Sequence, residues 1–167
     1  MITPPMPDNE ADRLALLYEL LLLDTPPERR LDKIVEFASS EFNVPICLIS
    51  LVDSNRQWFK ARVGIDACET PRDMSFCSHA LGSSELLVVP DALLDARFHD
   101  NPLVSGGPRI RFYAGAPLMC RDGLVIGTLC LIDTVPRVLD PVEQAILKSL
   151  RDLVVIELMS PQALVDE

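Results

Sequence analysis

The residues of this chain that could do chemistry gather in one stretch, Asp66 to Pro108. It holds Cys68 and Cys77, both histidines (His79 and His99), and Asp91, Asp95, Arg97, Asp100 and Asn101. Cys68, Cys77, His79 and His99 are the donor types of a zinc site, but zinc signatures come as tighter paired spacings, so no metal is expected. Thiol redox chemistry would need an accessible low-pKa thiolate and a resolving thiol. Cys68 and Cys77 in this stretch, with Cys120 at a later turn, could supply both. The guanidinium forks of Arg97 and Arg111 suit a phosphate or a carboxylate. The competing reading pairs each arginine with Asp91, Asp95 or Asp100. Those aspartates could serve as paired carboxylates in acid–base work, although loop capping explains them more cheaply. For Cys77-Ser78-His79 the simplest reading is a helix-borne cysteine facing the core, with His79 hydrogen-bonded nearby.

A structureless stretch this long in a compact domain is usually functional or disordered. This one carries Phe76, Leu86, Leu87, Phe98 and Leu103, enough apolar matter to fold down as a lid. A lid over a sheet makes a concave apolar site with a few polar groups, the anatomy of a small-molecule pocket. Phe76, Phe98 and Tyr113 lie in or under the lid and are the aromatic candidates. Trp58, the one tryptophan, either lines the pocket or covers the sheet edge.

The elements that must position this lid follow from periodicity. A first helix is expected from about Asn9 to Leu23, apolar nearly all round and therefore covered on more than one side. Glu10 and Asp12 fall in its first turn, where they complement the helix dipole. Thr25-Pro26-Pro27-Glu28 reads as a capping box opening a second helix, whose stripe is Leu31, Ile34, Val35, Ala38 and Phe42. Asn43 and Pro45 end it. A third helix is expected from Pro141 to about Met159, capped by Asp140 with Glu143 completing the box. Between them the period becomes that of strands. Ile46–Val52 reads as a central strand, and Gln57–Val63 alternates, with Phe59, Ala61 and Val63 opposite Trp58, Lys60 and Arg62. Glu85–Val89 is a third strand, and Arg111–Cys120 with Leu124–Ile132 forms a hairpin around Arg121-Asp122-Gly123. Helices segregated from hairpin-joined strands imply an α+β domain with an antiparallel sheet.

Several motifs, in order, resemble bacterial GAF domains. They are Leu23-Asp24-Thr25-Pro26-Pro27-Glu28, Ile49-Ser50-Leu51-Val52-Asp53 and Arg56-Gln57-Trp58-Phe59-Lys60. Ser75-Phe76-Cys77-Ser78-His79-Ala80, Val89-Pro90-Asp91-Ala92, Arg97-Phe98 and Asn101-Pro102 continue the likeness. Arg111 to Leu118 and Ile126 to Asp133 complete it, so the match runs from about Leu20 to Leu158. The resemblance implies a central antiparallel sheet of five to six strands, with the N- and C-terminal helices on one face and the irregular lid on the other. Domains of this kind sit ahead of diguanylate cyclase or histidine kinase modules. The chain is thus expected to be a stand-alone sensor or a fragment of a longer one.

What the resemblance implies about function is a regulatory domain that binds a small molecule or a partner, and not an enzyme. The ligand-binding candidates are Phe76, Cys77, His79, Asp91, Arg97, Phe98, Asn101, Arg111 and Tyr113; no catalytic residue is assigned. Bilin attachment in phytochrome-like relatives places cysteine immediately before histidine, and here Ser78 intervenes, so neither bilin nor haem is expected. The Asn-Lys-Phe-Asp-Glu signature of cyclic-nucleotide-binding relatives is absent. The alternative is a GAF-fold reductase of free methionine sulfoxide using the lid cysteines.

Composition sets the outer bounds. Of 167 residues, 49% are hydrophobic and 24% charged, which suits one globular domain rather than a disordered chain. A formal net charge of −10 repels a phosphate backbone, so nucleic acid is not expected as a partner. The most apolar run, Leu14–Leu23, contains Glu19 and is about half the length a membrane span needs, and no membrane contact is expected. Five cysteines without an export signal read as reduced thiols in a cytoplasmic protein. Three segments result: an N-terminal apolar helix (1–24), the GAF domain (25–159) and a short tail (160–167). Surplus apolar surface on the first and last helices predicts a helix-bundle homodimer.

Overall fold

Residues 1–160 are described by the computed structural model, and the tail expected at 160–167 lies, after Ser160, outside them. Six strands form one antiparallel sheet: β1 (Ile46–Val52), β2 (Arg56–Val63), β3 (Glu69–Pro71), β4 (Leu87–Val89), β5 (Phe112–Met119) and β6 (Val125–Asp133). Their order is β3-β2-β1-β6-β5-β4, which leaves β1 and β6 at the centre. Four helices accompany them: α1 (Glu10–Glu19), α2 (Arg29–Phe42), the single turn α3 (Pro102–Ser105) and α4 (Pro141–Met159).

The sheet separates two apolar cores. On one face Cys47, Ile49 and Leu51 of β1 and Phe112, Ala114, Ala116 and Leu118 of β5 pack with α1, α2 and α4. On the other, Leu48, Phe59 and Ile132 pack beneath Phe76, Leu81, Phe98 and Val104 of the long connection. Strand alternation produces this division, because successive side chains leave opposite faces.

β2 breaks that alternation. Ile49 pairs with Ala61 but Ser50 pairs with Phe59, so Lys60 is an extra residue opposite β1. The bulge moves Trp58 and Ala61 to the helix face while Phe59 stays on the lid face. The expected grouping of Phe59, Ala61 and Val63 on one side is therefore wrong, and Trp58 packs into the helix-side core beside the edge strand β3 instead of lining the lid face. Lys60 becomes buried, its Nζ donating to Thr25 Oγ1 at 2.7 Å and Pro26 O at 2.9 Å and pairing with Glu28 at 2.8 Å.

This arrangement also corrects the start of α2. Glu28 is occupied by Lys60 and Arg30, Thr25 donates to Leu22 O, and no side-chain cap forms, so the helix opens at Arg29 rather than at Thr25. Within the expected apolar segment 1–24 the helix spans only Glu10–Glu19. Leu21 and Asp24 take left-handed backbone at φ 54° and 59°, turning the chain so that Leu22 is buried while Leu21 faces solvent. The same helix hides a full cation: Arg13 is completely buried. α4 matches its expected span, with the Asp140–Glu143 capping box formed in both directions.

Candidate functional site

The connection from Ile65 to Pro108 lies over the lid face and encloses a small cavity against the sheet. Ile46, Leu48, Phe59, Ile110 and Ile132 are among its apolar walls, and its volume is about 30 Å³. That is room for roughly two waters, far below the roughly 300 Å³ at which drug-sized pockets begin. No charged side chain lines it.

Its polar wall is a single network. Gln57 Oε1 accepts from Ser50 Oγ at 2.8 Å and from the Cys77 thiol at 2.8 Å. Gln57 Nε2 donates to Thr70 Oγ1 at 2.6 Å. Ser50 Oγ and Cys77 Sγ are also 3.3 Å apart. Tyr113 lies across the cavity with its hydroxyl 3.3 Å from Thr128 Oγ1. Its ring end occupies the space that a side chain on Gly115 would fill, since a Cβ there would lie 2.4 Å from the Tyr113 oxygen. Burial pushes the Cys77 thiol, the Cys130 thiol and the Tyr113 phenol above their ordinary values, so all three are protonated at neutral pH.

Of the nine residues singled out from sequence, Phe76, Cys77 and Tyr113 line this cavity. Phe98 stacks on Phe76 at 4.1 Å and 6°, one layer further out. His79 meets the edge of Phe98 at 4.8 Å and opens instead onto a second, more open pocket of about 560 Å³ beside Pro5–Asn9. Burial, then the charge of Arg97, lowers its pKa. Arg97 is held by Asp95 at 2.8 Å and lies over the Phe98 ring. Asp91 accepts from Leu93 N, and Asn101 accepts from Leu103 N while donating to Met74 O; both fix turns. Arg111 donates to Val104 O and Ile110 O, which ties α3 to the start of β5.

Gln57, Ser50 and Thr70 were not among the sequence candidates. The signal was present: Ser50 interrupts an apolar central strand, and a hydroxyl buried there requires a partner.

The lid is wired to α1 by charge. Arg72, in the 3-10 turn after β3, reaches Glu10 at 2.5 Å and Asp53 O at 3.0 Å. Glu10 also pairs with Arg13 at 2.9 Å, and Arg13 Nη1 donates to Val52 O at 2.7 Å. Burial raises the Glu10 carboxyl, but hydrogen bonds from Arg72 and Arg13 outweigh it and hold the pKa at about 2.

The cysteines divide by exposure. Cys47, Cys77, Cys120 and Cys130 are buried and Cys68 is exposed. Burial pushes Cys47 up to about 12 and Cys120 up to about 11. Native protein treated with iodoacetamide at pH 7.5 is expected to gain one adduct quickly, on Cys68, and five after denaturation. Rapid labelling of Cys77 in the native state would show a thiolate that this packing does not provide. Among the described residues, no three His, Cys, Asp or Glu side chains gather as a metal site.

Comparison with known proteins follows the same architecture. The chain is 49% identical over 137 residues to a cyclic di-GMP phosphodiesterase of Pseudomonas aeruginosa, covering 82% of this chain. It spans only 23% of that protein's length. The GAF domain of an Acinetobacter phosphoenolpyruvate-protein phosphotransferase superposes with a TM-score of 0.65 at 18% identity, covering 97% of this chain and 100% of that one. A free methionine-R-sulfoxide reductase from Neisseria meningitidis gives 0.64 at 18% identity, covering 95% of each. At such identities the likeness is one of fold. The description of the GAF domain matches residues 26–158, and the chain belongs to the GAF family.

Proposed function

We propose that this chain is a regulatory GAF domain of a bacterial signalling protein that senses a small molecule, or a partner at its lid, and does not itself catalyse a reaction. The observation that carries the reading is the small cavity between sheet and lid, with its wall of apolar side chains and neutral, hydrogen-bonded polar groups. The charge relay from Arg72 through Glu10 to Arg13 supports a route from the lid to α1. Outward apolar residues on α4 (Val142, Leu153 and Ile156) support pairing with a second copy. By similarity to the Pseudomonas relative, the output would be turnover of cyclic di-GMP by another region of a longer protein.

The buried, protonated Cys77 favours this reading over methionine sulfoxide reduction, and Ser78 standing between Cys77 and His79 favours one without bilin. Five unpaired cysteines fit the reducing cytoplasm. No described helix is long and apolar enough to cross a membrane.

The test is a thermal-shift screen of soluble metabolites followed by sedimentation equilibrium. At least one compound is expected to raise Tm and to shift a monomer–dimer equilibrium. A monomer at high micromolar concentration under every condition would remove the dimer. Methionine release from free methionine sulfoxide with dithiothreitol, lost in Cys68→Ser, would replace the reading with the enzymatic one.

A further inference from the structure

This inference rests on the cavity being the sensing site and concerns what it can hold. Three observations restrict the ligand. The first is charge: no Asp, Glu, Lys, Arg or His lines the cavity. The nearby arginines are committed elsewhere, Arg111 to Val104 O and Ile110 O, Arg97 to Asp95, and Arg72 to Glu10 and Asp53 O. A charged ligand would lose its water and find no counter-charge, at a cost that usually expels it. The second is size. About 30 Å³ holds roughly two waters, so a ligand is limited to a few heavy atoms and requires its lining side chains to give way on entry.

The third is polarity. Gln57 Oε1 already accepts two hydrogen bonds, from Ser50 and Cys77. Its Nε2 spends one N–H on Thr70, and among the described residues the second has no partner. The Thr70 hydroxyl accepts that bond, which leaves its own O–H to donate. Both groups line the cavity, so this pair offers two donors and no spare amide acceptor; the other polar groups of the wall are the Cys77 and Cys130 thiols and the Tyr113 hydroxyl, of which Cys77 is bound to Gln57 and Tyr113 to Thr128. We infer that the cavity takes a small uncharged carbonyl compound, its oxygen at Gln57 Nε2 and Thr70 Oγ1 and its apolar part against Ile46, Leu48 and Ile132. Anionic nucleotides and zwitterionic amino acids are excluded from it, cyclic di-GMP and free methionine sulfoxide included.

Acetone and acetate separate these ideas, since both are planar and have four heavy atoms but differ in charge. In methyl-labelled protein titrated with acetone to millimolar concentration, saturable NMR shifts are expected at Ile46, Leu48, Ile110 and Ile132. Acetate is expected to bind at least tenfold more weakly at the same methyls. Thr70→Val, which keeps the volume, is expected to weaken acetone at least threefold, as loss of one neutral hydrogen bond does. An unchanged acetone affinity in that variant would overturn the carbonyl assignment. If acetate or cyclic di-GMP shifts these methyls as strongly as acetone, neutrality fails while the sensing site stands. If neither the neutral nor the charged probes move them, the sensing site fails as well.

Discussion

Gly127→Ala is expected to lower stability by about 4 kcal/mol or more, a large share of the roughly 5–15 kcal/mol that holds a typical domain folded. The reason is geometric. A Cβ on Gly127 would lie 1.8 Å from Ser50 O and 2.9 Å from Leu51 Cα, both backbone atoms of β1. Overpacking against a flexible side chain costs about 1–3 kcal/mol because the neighbour can rotate away. Here relief requires separating β1 from β6, the two central strands, and their ladder would open from its Leu51–Gly127 end toward Ser50–Thr128. Urea denaturation followed by circular dichroism gives the midpoint. A midpoint within error of the parent would show that the strands do not approach this closely. The same approach sets the site, because Ser50 stands beside Thr128 in the ladder and feeds the Gln57–Cys77 network. A partly folded Gly127→Ala protein is therefore expected to label Cys77 with iodoacetamide as well as Cys68.

Legibility in the sequence followed the range of the interactions. α4 was readable because its start depends on residues within three positions of each other: Asp140, Pro141 and Glu143. The same local pattern at Thr25–Glu28 misled, since Lys60, more than thirty residues away, takes both Thr25 and Glu28 as partners. No local signal marks a β-bulge, so the exchange of faces at Lys60 could not be read from alternation. Five of the six strands emerged as expected, with helices on one face and a lid on the other, because hairpin connections and apolar runs are local features; the edge strand β3, three residues inside the stretch read as irregular, has no such signal.

The site was half legible for a related reason. Phe76, Cys77 and Tyr113 stood out by type and position, and all three face the cavity. Arg97, Asp91, Asn101 and Arg111 stood out equally but spend their polar groups on turns, a neighbouring carboxylate and nearby carbonyls, as loop residues commonly do. Gln57 passed unnoticed as the polar first residue of an alternating strand. Only the fold shows it meeting Ser50, Cys77 and Thr70 at once.

Arg13→Ala carries the other large effect, an expected loss of about 3 kcal/mol, at the lower end for breaking a buried ion pair. Arg13 is fully buried, so its removal leaves Val52 O without its donor and a void beside Leu16 and Leu17. Glu10 keeps Arg72, which is why the loss stays near that lower end. For a chain of this length Tm is expected to fall by roughly 6–12 °C. The acid side of the stability curve provides a second, independent reading. Glu10 has its pKa lowered from 4.5 to about 2 on folding, so its contribution is complete above pH 4.5 and disappears as pH falls toward 2. Without Arg13 the folded pKa rises toward the unfolded value, and the acid-dependent part of the stability shrinks between pH 2 and 4.5. A variant that lost 3 kcal/mol yet kept the parent's slope there would show that Arg13 acts by packing alone. Hydrogen exchange then connects stability to signalling. If Arg72, Glu10 and Arg13 are the link between lid and helix, amides of α1 exchange faster in Arg13→Ala while those around the cavity hold their rates. Equal acceleration in both regions would mean that the two cores unfold together and that the relay transmits nothing separable from global stability.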